Sequence, residues 1–147
     1  MTLLPRAGRL LALDWGEIRI GLAASDETQL LASPLETVTR RAGKRYPMPA
    51  LLDLVTRNDI VGLLVGLPLT PEGDEGDAAR EARAMGELVA GRAGLPVEYW
   101  DERMTTARAL RSIQEQGGST RGRKEDVDAL AAAVLLQGYL DARRTAR

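Results

Sequence analysis

The sequence predicts an α/β fold in which a mixed β-sheet carries helices on both faces. Three short extended segments come first, and helical patterns then alternate with two further strands. This order is typical of an antiparallel meander followed by parallel strands with helical crossovers. A chain of 147 residues has the length of one domain and is too short for two full ones. We therefore expect a single domain over residues 1–147.

The composition restricts the chemistry that the chain can perform. It has 20 Lys and Arg residues against 21 Asp and Glu residues, so no basic field covers the whole molecule. A local basic patch is still compatible with this composition. There is neither Cys nor His, which excludes disulfides, Cys nucleophiles, His acid/base catalysis and Cys- or His-based zinc sites. Catalysis must therefore use carboxylates, hydroxyls, Lys or Arg, backbone dipoles or a metal held by oxygen.

The N-terminal segment does not have the pattern of a signal peptide. Residues 1–13 contain only a short apolar run that continues into a strand pattern. No apolar stretch approaches the roughly 20 residues that span a bilayer. We expect a cytoplasmic protein with no membrane partner.

A β-hairpin is predicted at the N-terminus. Residues 10–14 are an apolar run, residues 18–25 alternate, and Trp-Gly-Glu at 15–17 separates them. One face of the second strand carries mainly small side chains, which predicts the close approach of another element. That face holds Arg19, Gly21, Ala23 and Ser25.

A third strand is predicted over residues 35–40, and a basic stretch without aromatic residues follows at 40–45. Such a stretch predicts a solvated loop, with a phosphate-contacting patch as the alternative. Helical spacing predicts a helix over 48–58, and the continuous apolar run at 60–67 predicts a strand buried on both faces. A further helix is predicted over 78–90, ended by the glycines at 91–94.

The C-terminal third is predicted to contain one strand and two helices. The strand covers 96–100, the first helix covers 104–116, and a flexible basic loop follows at 117–124. The last helix covers 125–143. Its residues 129–136 are all apolar, which predicts burial on every side.

Three acidic residues occupy unusual positions. Asp14 ends the first strand, Glu102 follows the strand at 96–100 beside Asp101, and Asp128 precedes the apolar run of the last helix. Ligands gather at the carboxyl ends of parallel strands, so the three carboxylates are expected to meet there. A cluster of acids without His or Cys favours Mg²⁺ or Mn²⁺, and such a site can hydrolyse a phosphodiester.

Each acid also has an ordinary structural explanation. Asp14 could satisfy backbone N–H groups in a turn, Glu102 could pair with Arg103 or Arg108, and Asp128 could interact with the helix dipole. Taken singly, these explanations are favoured, whereas the three together favour a site.

Four segments of the chain resemble one protein family. They are LDWGEIRIGLAASD (13–26), LLVGLPLTPEG (63–73), YWDERMTTARAL (99–110) and KEDVDALAAAVLLQGYL (124–140). Their sequences, order and spacing resemble the YqgF/RuvX family of Holliday junction resolvases, also described as nucleases that mature the 5′ end of pre-16S rRNA. The resemblance implies a ribonuclease H-like fold: a five-stranded mixed sheet flanked by helices on both faces.

The resemblance also implies a set of site residues. The family's acidic positions fall on Asp14, Glu102 and Asp128, which would be both the catalytic residues and the metal ligands; Asp101 is the alternative for the second acid. The expected substrate-binding residues are Arg19, Arg103, Thr105, Thr106, Arg121, Arg123 and Lys124. Thr105 and Thr106 also have the simpler interpretation of helix caps.

The acidic residues thus predict a nuclease that depends on Mg²⁺ or Mn²⁺ and hydrolyses phosphodiester bonds, and the resemblance implies that it acts in the 5′-end maturation of pre-16S rRNA. Its expected partner is nucleic acid, as structured RNA or branched DNA, with the precursor of the small ribosomal subunit as a further candidate. Alternatives are a Holliday junction resolvase and a non-catalytic RNA-binding assembly factor. A nucleotide-binding module is disfavoured, because one domain of this size lacks a second lobe to enclose ATP. The sequence is compatible with both a monomer and a homodimer.

Overall fold

The computed structural model describes residues 4–16, 18–40, 47–102 and 124–145. Five strands and three helices lie in these ranges. They are β1 (Arg9–Asp14), β2 (Arg19–Ser25), β3 (Ala32–Thr39), α1 (Met48–Arg57), β4 (Ile60–Leu67), α2 (Asp77–Ala93), β5 (Val97–Asp101) and α3 (Lys124–Thr145).

The five strands form one mixed sheet in the order β3-β2-β1-β4-β5. The first three strands pair antiparallel, whereas β4 runs parallel to both β1 and β5. The predicted meander followed by parallel strands is confirmed. The carboxyl ends of β1, β4 and β5 therefore lie at the same edge of the sheet.

Helices cover both faces of the sheet, as predicted. The face formed by side chains such as Leu11, Leu13 and Val65 packs against α1 and α2. The opposite face, with Leu10 and Ala12 among its residues, packs against α3. The alternation of side chains along β1 therefore decides whether each one packs against α1 and α2 or against α3.

Helix α3 crosses the second face over β1, β2 and β3. Its Tyr139 is buried, contacts Trp100 edge-to-face at 5.3 Å, and donates a hydrogen bond to Glu98 at 3.1 Å. The prediction that residues 129–136 are buried on every side is wrong on one side of the helix, where Leu130 is 45% exposed and Val134 is only partly buried. The helix lies on the sheet with one side open to solvent.

Several predicted boundaries differ from the structure. Strand β3 begins at Ala32, three residues early, and α2 continues through Gly91 to Ala93 before Gly94 ends it in the left-handed conformation. A glycine inside a helix costs only about 1 kcal/mol, which the packing of α2 on the sheet outweighs. Lys124 begins α3 rather than ending a loop.

The predicted helix at 104–116 and the loop at 117–123 lie outside the described residues. Within the described ranges, every helix is too short or too polar to cross a membrane.

Candidate active site

Asp14 lies at the carboxyl end of β1 with its carboxylate turned toward the α3 face. Strand alternation places it on the same side as Leu10 and Ala12, which pack against α3. The residue is 3% exposed, and both carboxylate oxygens are shielded from solvent. Burying a carboxylate in this way is costly, so its position requires compensation from the surrounding groups.

Glu102 follows β5 and extends back over β4. A Cβ atom built on Gly66 would lie 3.7 Å from Cγ of Glu102 and 2.9 Å from Cδ2 of Leu135 in α3. Glu102 is therefore on the α3 face, and it is 3% exposed. By alternation after Tyr99, which packs with the opposite cluster, Asp101 points to the other face. This placement favours Glu102 over Asp101 as the second acid.

Gly66 separates Asp14 from Glu102. The β1–β4 ladder pairs Leu13 with Val65, and one further step places Asp14 beside Gly66. Two inter-strand spacings, about 9–10 Å, separate the backbones of β1 and β5. Because Gly66 has no side chain, Leu135 of α3 and the side chain of Glu102 can approach the backbone of β4 at the point where it lies beside Asp14.

Asp128 reaches the same edge from the start of α3. A Cβ built on Gly21 would lie only 2.0 Å from the carbonyl oxygen of Asp128, so the helix backbone rests directly on β2. The predicted close approach to the small-residue face is confirmed. Nε of Arg19 donates to Oδ2 of Asp128 at 2.6 Å, and Asp128 is 8% exposed.

The three predicted acids thus share one face and one edge of the sheet, but they do not gather around one point. Among the described residues, no three acidic side chains are close enough to hold a metal ion together. In the side-chain arrangement of the structure, the carboxylate of Asp128 is engaged by Arg19.

Most of the predicted substrate-binding residues lie outside the described part of the chain. Arg103, Thr105, Thr106, Arg121 and Arg123 belong to residues 103–123, and for Lys124 the structure describes only its place in α3. Arg19 is described, and it binds Asp128.

Arg40 is a residue of this region whose role the sequence does not predict. The expectation of a solvated loop is wrong for Arg40, which is 6% exposed and donates to the carbonyl oxygen of Gly16 at 3.1 Å. Its guanidinium lies 4.8 Å from the ring centroid of Trp15, and Nη2 lies 3.7 Å from Glu81. Arg40 thereby supports the turn that directly follows Asp14. Continued alternation from the buried Val38 is the signal that could have revealed it.

The donor set suits a hard divalent cation. Carboxylate oxygens are the ligands that Mg²⁺ and Mn²⁺ prefer. Asp14 ends β1 and Glu102 follows β5, on either side of β4, and Asp128 supplies a third carboxylate on the same face of the sheet. The residues fit such an ion by the chemistry of their donor atoms and by the face and edge that they share, although their carboxylates are not gathered around one point.

Comparison with known proteins agrees with this architecture. Residues 8–142 match the family model described as "RuvX: Holliday junction resolvase". A protein of Ruegeria sp. (strain TM1040), named "Putative pre-16S rRNA nuclease", is 38% identical over 98% of this chain and 91% of its own length. One of the same name from Symbiobacterium thermophilum is 45% identical over 92% of this chain and 93% of its own.

The fold is also similar to a solved structure. Thermus thermophilus RuvC in complex with a Holliday junction substrate matches with a TM-score of 0.57 and 18% identity, covering 92% of this chain and 95% of RuvC. The sheet order and this match confirm the predicted ribonuclease H-like fold. Because the family model covers nearly all of the chain and the two relatives align along most of their length, the chain belongs to the RuvX family.

Proposed function

We propose that this protein is a divalent-metal-dependent nuclease that hydrolyses phosphodiester bonds in the 5′-end maturation of pre-16S rRNA. The observation that carries the proposal is the placement of Asp14, Glu102 and Asp128 on one face of the sheet, at its carboxyl edge, each less than a tenth exposed. The names of the RuvX relatives support this substrate. Such a nuclease works in the cytoplasm, alongside ribosome assembly.

Buried carboxylates at one edge of the sheet are costly unless they are paired or bound to a cation, and a cation is required if they are to approach one another. Asp14, Glu102 and Asp128 would hold Mg²⁺ or Mn²⁺. When bound, the cation supplies Lewis-acid stabilisation of the charge that develops on the phosphodiester.

The chain positions these carboxylates on regular structure. Asp14 is the last residue of β1, Glu102 directly follows β5, and Asp128 lies in α3, which rests on β2 through Gly21. Functional groups held by strands and helices keep their geometry better than groups on loops. Each carboxylate therefore reaches the site with little backbone reorganisation.

Basic and hydroxyl side chains complete the proposal. Arg19 and Arg103 neutralise phosphate charge, and Thr105 and Thr106 donate hydrogen bonds to phosphate oxygens. The basic residues Arg121, Arg123 and Lys124 contact the nucleic-acid backbone away from the cut. Such contacts give affinity rather than sequence specificity, so the substrate is recognised by its shape.

Branched DNA is the second candidate substrate, because the family description names Holliday junction resolvases. Resolving a junction takes two symmetric cuts and hence a homodimer, whereas a monomer suffices to trim RNA.

A cleavage assay distinguishes these functions. A pre-16S rRNA fragment with its 5′ extension and a four-way DNA junction are each incubated with the protein in Mg²⁺, Mn²⁺ or EDTA. Asp14→Asn and Asp128→Asn are compared with Asp53→Asn, an exposed control on α1. We expect metal-dependent RNA cleavage that falls at least about a hundredfold in the two site variants and persists in the control.

Each other outcome has a defined meaning. Cleavage of the junction alone transfers the proposal to branched DNA. Binding of RNA without cleavage in any metal contradicts the nuclease and supports the assembly factor. Cleavage that survives in both site variants contradicts the proposed site.

A further inference from the structure

The ion pair between Arg19 and Asp128 joins residues that are 109 positions apart in the sequence. The 2.6 Å bond runs from Nε to Oδ2, and the two side chains are 25% and 11% exposed. Charge-assisted bonds of this length are among the stronger hydrogen bonds, and partial burial limits screening by salt. Arg19 therefore fixes the direction in which the carboxylate of Asp128 points.

The backbone on both sides of this pair is held in place. Arg19 lies two residues before Gly21 on the same face of β2, and Gly21 is the point on which the Asp128 carbonyl rests. The start of α3 is already in contact with the backbone of β2 at Gly21, so it cannot move closer to this strand. A change of partner at Asp128 thus requires only side-chain rotation, of Asp128 or of Arg19.

We propose that Arg19 is a positioning residue that takes the place of the divalent cation at Asp128 and gives up this carboxylate when the cation binds. The inference rests on the proposed function. Arg19 and the cation would compete for the same carboxylate, and two positive charges there repel each other in a partly buried site.

Linkage gives this competition a measurable consequence. If cation binding and the Arg19–Asp128 bond oppose each other, removing Arg19 strengthens cation binding. A phosphate group that attracts Arg19 away from Asp128 has the same effect. Nucleic acid and cation therefore bind cooperatively, because each favours the arrangement in which Arg19 has left Asp128.

The test is Mn²⁺ binding to the full chain by isothermal titration calorimetry, without nucleic acid. We expect Arg19→Gln to raise the Mn²⁺ affinity by about fivefold or more. Arg57→Gln is the matched control, because Arg57 makes the same Nε–Oδ2 bond, at 2.7 Å, to Asp53 on the exposed face of α1. It should leave the affinity unchanged, and Asp14→Asn should remove binding at this site.

The outcomes separate the two proposals. If the wild type binds Mn²⁺ through Asp14 but Arg19→Gln binds equally or more weakly, the competition is overturned while the metal site stands. If neither protein binds Mn²⁺ in a manner sensitive to Asp14→Asn, the proposed metal site fails, and the inference fails with it.

A second measurement, by NMR, uses the wild-type protein and so does not depend on whether an Arg19 variant folds. In ¹⁵N spectra of the wild type, the Nε–H signal of Arg19, assigned through Asp128→Asn, should be protected from exchange in EDTA. It should lose this protection in saturating Mg²⁺. Protection that persists in Mg²⁺, while Mg²⁺ shifts the signals around Asp14, overturns the inference.

Discussion

Replacing Gly21 by alanine tests how closely the sheet and α3 must approach to place Asp128. The added Cβ would lie 2.0 Å from the carbonyl oxygen of Asp128 and 2.4 Å from its carbonyl carbon. Both are backbone atoms, so no side-chain rotation relieves the overlap. Ordinary contact begins at 3.4 Å, and the start of α3 must retreat from β2 by more than about 1 Å.

That displacement sets the expected magnitudes. Overpacking of a closely packed contact typically costs about 1–3 kcal/mol of the free energy of unfolding. A misplacement of about 1 Å at a reacting group can lower the rate about a hundredfold. We therefore expect Gly21→Ala to lose both stability and phosphodiester cleavage, and the loss of cleavage to persist at temperatures where the variant is folded.

Urea unfolding followed by circular dichroism measures the first effect, and the metal-dependent cleavage assay measures the second. Gly91→Ala is the matched control, because a Cβ at that exposed position on α2 meets nothing within 4 Å. It should stabilise the protein by about 0.5–1 kcal/mol and leave cleavage unchanged. Wild-type stability and cleavage in Gly21→Ala would refute the argument from close approach.

Two further predictions concern parts of the fold beside and away from the site. Arg40→Met leaves the carbonyl of Gly16 without its guanidinium donor and should lower the free energy of unfolding, measured in urea, by about 1–3 kcal/mol. Glu81→Gln changes the exposed partner of Arg40 and should alter the free energy of unfolding by less than about 0.5 kcal/mol. Equal effects of the two variants would contradict the assignment of Arg40 as a buried support. The pKa of Asp26 is lowered from 3.8 to about 2, chiefly because its carboxylate accepts a hydrogen bond from the backbone N–H of Leu31. The ionised carboxylate therefore stabilises the folded protein fully above pH 3.8, and this contribution is lost as the pH falls through 2. Asp26→Asn should flatten the dependence of stability on pH in this range, and an unchanged slope would show that other groups cause it.

Local patterns were sufficient to predict most of the sheet. The apolar run at 60–67 predicts strand β4 with the observed bounds, because all residues of this strand except the partly exposed Val61 are buried between helices on both faces. The alternation in β2 predicted both the hairpin and a face of small residues that another element approaches. Gly21 lies on that face, directly beneath α3. These signals depend on neighbouring residues and are therefore visible in one sequence.

The remaining features depend on contacts between distant segments. No local pattern indicates that Arg19 binds Asp128, because the two residues meet only after β2 and α3 pack together. Arg40 was assigned to a solvated loop from its charge, whereas in the structure an aromatic ring and a backbone carbonyl cover it. The exposure of Leu130 likewise follows from which side of α3 the sheet covers.

Anomalous scattering from crystals of the protein grown with Mn²⁺ tests whether Asp14, Glu102 and Asp128 hold a divalent cation. We expect a peak within coordination distance of Asp14 and Glu102, with the carboxylate of Asp128 turned from Arg19 toward it. A fully occupied Mn²⁺ site elsewhere, with no peak beside Asp14 at saturating concentration, would show that these carboxylates do not form the metal site.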